Sequence, residues 1–332
     1  MTNKAGSYMC GRILLSLMTA CSLLCGTVEL QAADRAPVRI SIPTAATTST
    51  LYPIGAALGN LWSSKLPYVK ASVQSSKGGI QNLQLLMRKE AQVSFAITSI
   101  TYQAMKGEDK FKGRAYPDVR VLAGLYYNPN QIIARAGSNV KELKDFKGKV
   151  FVPGVAGGTT IGETGAHFAA AGLRFPKDIK AQYVGPAEAG DLMRNNQIDG
   201  AWIMAGLPNA GVSEMCATAD GQLIGIDDAT FENLKKEYPW YAKFQIPAGT
   251  YPNQEENVQT SSVKMILVTD ASVPEDVIYD LTKCFWENQD IMKKSHAVMH
   301  GIDVRSAVTD LADIPLHPGA VKYYKEIGVI QK

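Results

Sequence analysis

The chain has 332 residues, 46% hydrophobic and 20% charged, with a formal net charge of +3. That length exceeds one compact core and suits about two domains, and no Lys/Arg-rich run offers the concentrated basic face that nucleic acid requires. The 29 glycines and 16 prolines are scattered, which excludes a low-complexity class.

The first 33 residues read as an export signal. Lys4 and Arg12 precede the apolar stretch from Ile13 to Cys25, and Gln31-Ala32-Ala33 offers small residues before Asp34. A basic start, a short apolar run and a small-residue cleavage site are the parts of a secretory signal. The apolar run is shorter than the roughly 20 residues a membrane span needs. A periplasmic location is therefore expected. A second reading takes Met18-Thr19-Ala20-Cys21 as a loose lipobox that would leave Cys21 lipidated. Removal of the signal leaves Cys216 and Cys284, either paired as a disulfide or held as two buried thiols.

The mature chain alternates strand-like and helix-like segments. Val38 to Ile42 has a strand's period, and Pro53 to Leu66 carries Ala56, Leu58, Leu61 and Trp62 at helical spacing. Tyr68 to Gln74 reads as a strand, Gly79 to Lys89 as a helix, and Val93 to Ile97 as a strand. After a strand at Val119 to Leu122, an extended segment from Tyr126 to Ala134 leads to a turn at Lys144 to Lys149. A second set follows: strand Val150 to Val152, helix Ile161 to Ala171, strand Ala181 to Val184, helix Ala187 to Asn195 and strand Gly200 to Met204. Strand Val263 to Val268 and helix Glu275 to Asn288 close the pattern. Two βαβαβ units predict an α/β fold of two lobes, each a mainly parallel sheet flanked by helices, with the ligand cleft between them. The expected lobes are 34–126 with 262–332, and 127–261.

Three strand-to-helix loops carry the chemistry. They are Thr44 to Thr50, with Thr47, Thr48, Ser49 and Thr50 directly before a helix; Ser75-Ser76-Lys77-Gly78-Gly79; and Gly154 to Thr160, with Gly158, Thr159 and Thr160 at a helix start. A helix start exposes unpartnered N–H groups and partial positive charge. Small residues let an anion approach, and hydroxyls either donate to it or cap the helix. Lys77 is a candidate partner for a ligand carboxylate. Tyr52, Tyr126, Tyr127 and Trp202 are candidate cleft walls, Trp202 being equally a core residue. Gly79, Asn82, Ser99, Gln131 and Met204 complete the candidate ligand-binding set.

No catalytic motif is present, neither a Gly-x-Ser-x-Gly elbow, nor a phosphate loop, nor His-Glu-x-x-His. His296 and His300 lie four apart without an acidic partner, so a structural or exposed role is expected rather than a metal site. Glu163 reads as a helix N-terminal charge and Asp199 as a turn residue. No enzyme activity, metal or cofactor is expected.

These loops together resemble the TAXI-type solute receptors of TRAP transporters over nearly the whole mature chain. Thr47 to Gly55 is similar to that family's segment ending in Tyr-Tyr-Pro-x-Gly, and Gly78-Gly79-Ile80-Gln81-Asn82-Leu83 to its Gly-Ser-Val-Glu-Asn-Leu helix start. Leu143 to Lys149 followed by Gly157 to Thr160 resembles its Asp-Leu-x-Gly-Lys turn and Gly-Ser-Gly-Thr loop. Ile198 to Ala201 with Gly206-Leu207-Pro208, Ile246 to Tyr251, and His317 to Ala320 followed by Tyr323-Tyr324 extend the match. Leu51, Lys77, Gly79, Gly158 and Thr159 depart from the pattern. The resemblance implies a type II periplasmic-binding-protein fold and a monomeric receptor. Such a receptor takes a small organic anion (a dicarboxylate, keto acid or amino acid such as glutamate) to a membrane-embedded TRAP permease. The receptor of an ABC importer, or a sensor subunit on the same fold, is the alternative.

Overall fold

Residues 35–47 and 49–331 are described by the computed structural model, so the expected signal over 1–33, Cys21, the expected mature start at Asp34 and Thr48 lie outside the described residues. The elements run β1 (Val38–Pro43), α1 (Leu51–Lys65), β2 (Val69–Gln74), α2 (Gly79–Met87), β3 (Val93–Ile97), α3 (Thr98–Lys106) and β4 (Val119–Arg135). Next come β5 (Val150–Val152), α4 (Thr159–Ala170), β6 (Lys180–Ala181), α5 (Pro186–Arg194), β7 (Gly200–Met204), α6 (Ala210–Thr218), β8 (Gly221–Ile224) and α7 (Asp228–Glu237). The chain ends through β9 (Ala242–Ile246), β10 (Val258–Asp270), α8 (Glu275–Glu287), α9 (Gln289–Lys293) and α10 (Pro318–Glu326). Arg39–Lys332 forms one compact unit; of the other unit, Met1–Val38, only 35–38 are described.

Local sequence explains several of these elements. In α1, Ile54, Leu58, Leu61 and Trp62 recur at i, i+4, i+7 and i+8 and are buried. Trp62 donates its indole N–H to the Leu281 carbonyl of α8 at 3.0 Å, tying the two helices. In α8, Glu275 and Asp276 place negative charge on the first turn, where the helix dipole favours it. The opposite face buries Val277, Ile278, Leu281 and Phe285. The turn expected at Lys144 to Lys149 begins as a 3-10 helix, Leu143–Phe146, whose Asp145 carboxylate accepts the backbone N–H groups of Lys141 and Glu142.

Strand pairing departs from the expectation of mainly parallel sheets. The larger sheet has the order β3-β10-β4-β7-β5-β6, with β8 on β4 and β9 on β10. Among its described ladders only β5–β6 and β5–β7 are parallel; β10 runs antiparallel to β3, β4 and β9, and β4 antiparallel to β7 and β8. The late strand β10 takes the place beside β3 that chain order assigns to an early one. The β1–β2 pair forms its own small sheet. Side chains carry much of its seam to β3: Gln92 accepts the Ser41 N–H at 2.9 Å and Ser94 donates to the Pro43 carbonyl at 2.8 Å. The two segments expected around Val119 and Tyr126 are one strand, β4, and the strand expected over Ala181–Val184 is only the two residues of β6. Pairing along Ser262–Asp270 lets β4 and β10 carry β3 at one end and β7, β8 and β9 at the other.

The C-terminal α10 packs on α8 so closely that a residue's size is decided there. A Cβ on Gly319 would lie 2.2 Å from the Glu275 carbonyl oxygen and 2.6 Å from the Tyr279 nitrogen. Backbone cannot step aside as a flexible side chain does, so Gly319→Ala is expected to destabilise the protein by about 1–3 kcal/mol. Gly301→Ala, at a position with open space around it, serves as the near-neutral control. Urea denaturation of both variants measures the difference, and equal midpoints would refute the packing argument.

Cys216 and Cys284 are free and buried, which settles the open alternative in favour of two thiols. Among the described residues no helix is long and apolar enough to cross a membrane.

Candidate functional site

A cleft of about 540 Å³ opens where the first turns of α3 and α4 face the segment after α7. One side carries Ile80 of α2 with Ser99, Ile100 and Gln103 of α3 and the short helix Asp109–Phe111; another carries Gly157, Gly158, Thr159, Ile161, Gly162, Glu163 and Ala166; Tyr238, Trp240 and Tyr241 complete the lining. Neither α3 nor α4 has a side-chain cap, their cap residues being Ile97 and Gly158. Their first-turn amides are therefore not taken up by a cap and suit an acceptor or anionic group in the cleft. The glycines make the α4 approach possible. Gly154 sits at φ +116° against the Thr160 side chain and Gly157 at φ +77°, both backbone positions that disfavour a Cβ.

Glu163 is the chemically distinctive group. The sequence predicts a helix N-terminal charge; the residue is the fifth of α4, 5% exposed, and lines the cleft. The reason is packing: α4 lies against α7 and β7, and its inward face meets Asn130 of β4 and Ser261 of β10 through Glu163 and His167. Ser99 Oγ and Asn130 Nδ2 donate to its carboxyl oxygens at 3.4 Å each, long for hydrogen bonds, and Tyr241 adds its hydroxyl. Burial pushes the carboxyl up to about 7, against the lowering effect of these three donors. Among the described residues it has no ion-pair partner.

A buried polar chain holds Glu163 and its helix in place. One turn further on, His167 donates Nδ1–H to the Glu163 carbonyl at 2.7 Å, leaving Nε2 to accept from Ser261 of β10. Ser261 accepts in turn from Asn130 Nδ2 at 2.9 Å, and Asn130 Oδ1 accepts from the Trp202 indole at 3.0 Å. The imidazole is thus neutral, and burial holds it down to about 4. This chain joins α4 to both long strands and to β7.

Of the candidate residues, the cleft brings together Ser99, Gly158 and Thr159. Gly79 supports it from behind: a Cβ there would meet Ile100 Cδ1 at 2.4 Å. Ser76 and Asn82 instead bond to one another at 2.6 Å and to the Thr44 carbonyl. Lys77 is exposed, its N–H donating to Gln81 Oε1 at 2.7 Å. Thr47, Ser49, Thr50 and Tyr52 lie at and before the start of α1, outside the cleft lining, and Thr160 turns toward Gly154. Tyr127 lines a separate cavity of about 230 Å³ with Tyr126, Leu207 and Phe244; its hydroxyl donates to Asp310. Lys264 Nζ sits 4.7 Å from its ring centre and donates to the carbonyls of Ser306 and Thr309. Gln131 bonds to Ala205 and Tyr251, Trp202 is buried in the polar chain, and Met204 is half-buried at the end of β7. Sequence reading missed Glu163, Gln103 and the aromatic run Tyr238–Tyr241. Two signals were available, the i, i+4 pairing of Glu163 with His167 and the density of aromatics after α7.

The remaining singled-out groups have local partners. His296 accepts the Val298 N–H and His300 meets the Lys293 carbonyl. Asp199 pairs with Arg135 at 3.2 Å and accepts the Val150 N–H. No cluster among the described residues has the makings of a metal site.

A family model described as the NMT1-like family matches residues 42–328. Among solved structures, a TctC solute binding protein from Polaromonas is 14% identical over 87% of this chain and 99% of that one, with a TM-score of 0.53. The periplasmic aliphatic sulphonate binding protein SsuA from Escherichia coli is 14% identical over 88% of this chain and 83% of that one, TM-score 0.46. A TRAP periplasmic solute binding protein from Pseudomonas aeruginosa with bound L-malate is 14% identical over 80% and 88%, TM-score 0.42. At such identities the TctC likeness speaks for the fold alone. The chain belongs to the NMT1-like family and has the α/β fold of type II periplasmic solute-binding proteins.

Proposed function

We propose that the protein is an exported receptor that captures a small solute in this cleft and delivers it to a membrane transporter. The observation that carries this is the cleft itself, a solute-sized space at two uncapped helix starts and an aromatic wall. The helix starts favour a solute with an anionic or hydrogen-bond-accepting end, in keeping with the organic anion that the resemblance implies. The motifs shared with TAXI-type receptors favour a TRAP-type secondary transporter as the partner. Two lobes, 34–126 with 262–332 and 127–261, close on the solute about Tyr126–Pro129 and Val258–Ser262, where β4 and β10 pass from one set of strands to the other.

A broad thermal-shift screen tests the reading. A solute that binds only the native state stabilises it by about 2.7 kcal/mol at 100 times Kd. Small-angle scattering with a hit should show a smaller radius of gyration, because hinge closure moves rigid bodies together. A screen without any hit, together with unchanged solute uptake after gene deletion, would overturn the receptor reading. Uptake that collapses with the ion gradient while ATP is maintained assigns the TRAP-type partner, and the reverse dependence excludes it.

A further inference from the structure

The cleft contains a carboxyl group and an aromatic wall; among the described residues none forms an ion pair with the carboxyl, although Lys110 also lines the cleft. Glu163 is 5% exposed, and two of its three donors, Ser99 and Asn130, stand at 3.4 Å, so its oxygens keep hydrogen-bonding capacity toward the cleft. Tyr238, Trp240 and Tyr241 flank it, with ring centroids 5.2 Å apart for Tyr238–Trp240 and 5.9 Å for Trp240–Tyr241; Tyr102 backs Trp240 at 5.4 Å. Aromatic faces attract cations, most strongly where water is excluded. A buried acid without a cation is costly unless a partner arrives. A dicarboxylate would bring a second negative charge against it.

We propose that Glu163 receives a protonated nitrogen of the solute, with the aromatic segment beside it and the solute's accepting end at the start of α4. This inference rests on the receptor reading above and narrows it. The solute is an amine-bearing molecule with an anionic or accepting end, and dicarboxylates and keto acids are poor ligands. The other ionisable groups lining the cleft are Asp109, Lys110, Tyr238 and Tyr241, with His167 one turn along α4. Glu163 titrates near 7 in the empty cleft, so binding of the ammonium should weaken as pH falls below that value.

The test uses three probes that share a benzoate end and differ in the opposite group: para-aminomethylbenzoate, para-hydroxymethylbenzoate and terephthalate. Thermal shift and calorimetry on the full mature chain compare wild type with Glu163→Gln, which preserves shape and removes the charge. The ammonium probe should bind best to wild type and lose about ten- to a hundredfold in affinity in Glu163→Gln, the loss expected for a hydrogen bond between charged groups. Trp240→Leu should weaken the ammonium probe more than terephthalate. Binding of terephthalate as tight as that of the amine, or an ammonium response unchanged by Glu163→Gln, would overturn the inference and leave the receptor reading standing. So would a set of hits from the broad screen that contains no amines. Silence of all three probes with a blank broad screen would overturn the inference, and with unchanged solute uptake after gene deletion it would remove the receptor reading as well.

Discussion

Glu163→Gln is expected to make the unliganded protein more stable at alkaline pH by about 3 kcal/mol, although it disables the cleft. Burial raises the carboxyl from 4.5 to about 7, so the folded protein holds this proton more tightly than the unfolded chain does. A group raised on folding contributes stability that is present below its unfolded value and lost as pH rises through its folded one. Between 4.5 and about 7 the wild type therefore forfeits a contribution that the glutamine variant never had to lose; above 7 the buried charge stands against the fold. His167 runs the opposite way. Burial lowers it from 6.5 to about 4, so its contribution is present above 6.5 and lost as pH falls through about 4. In the wild type the two changes oppose each other across their shared range. Because His167 remains in the variant, the stability difference between the two proteins reports Glu163 alone. Urea denaturation across pH should give a difference near zero at acidic pH that climbs to a plateau above 7. A variant no more stable than wild type on the alkaline side would refute the assignment of Glu163 as a strained buried acid. Stability given up at a binding group is the expected pattern for a site kept ready for a ligand.

Asn82→Ala is expected to destabilise the protein by about 3–5 kcal/mol. The Asn82 amide nitrogen donates to the Thr44 carbonyl at 2.8 Å and to the Phe95 carbonyl at 2.9 Å, and its oxygen accepts from Ser76 at 2.6 Å. The residue is fully buried, as is Thr44. These bonds join the end of β1 to β3 across the seam where the small sheet meets the larger one. Truncation removes the Asn82 donor from the Phe95 carbonyl and one of two side-chain donors from the Thr44 carbonyl, which keeps Ser76. It also takes away the acceptor of Ser76 and leaves a small cavity besides; each lost buried bond is worth about 1–3 kcal/mol. Asn82→Asp keeps the shape but turns carboxylate lone pairs toward two carbonyl oxygens, so it should be at least as harmful at neutral pH. Chemical denaturation followed by circular dichroism measures both. Near-native stability in Asn82→Ala would mean that the seam is held elsewhere, through Gln92 and Ser94.

What the amino-acid order determined by itself was local. The apolar positions Ala56, Leu58, Leu61 and Trp62 predict α1, and the alternation over Val38 to Ile42 predicts β1, because both follow from backbone geometry within a few residues. Gly157-Gly158-Thr159 predicts a helix start for the same reason, and that start lines the cleft. The alternation of strands and helices was enough to predict an α/β fold. Partner choice was decided only by the tertiary structure. β3 pairs with β10, which follows more than half the chain later, and no local propensity specifies that contact. The helix α3, which supplies Ser99, follows β3 without a loop or a capping residue, so no boundary signal marks it. Ser76 and Asn82 read as ligand groups because hydroxyls and amides look alike in sequence whether they face solute or carbonyl. Glu163 read as a helix N-terminal charge for a related reason: a carboxylate in a helix's opening turns ordinarily answers the helix dipole. Only the tertiary structure, which sets this face of α4 on Asn130 of β4 and Ser261 of β10 with the aromatic segment after α7 beside it, leaves the carboxyl 5% exposed in the cleft lining.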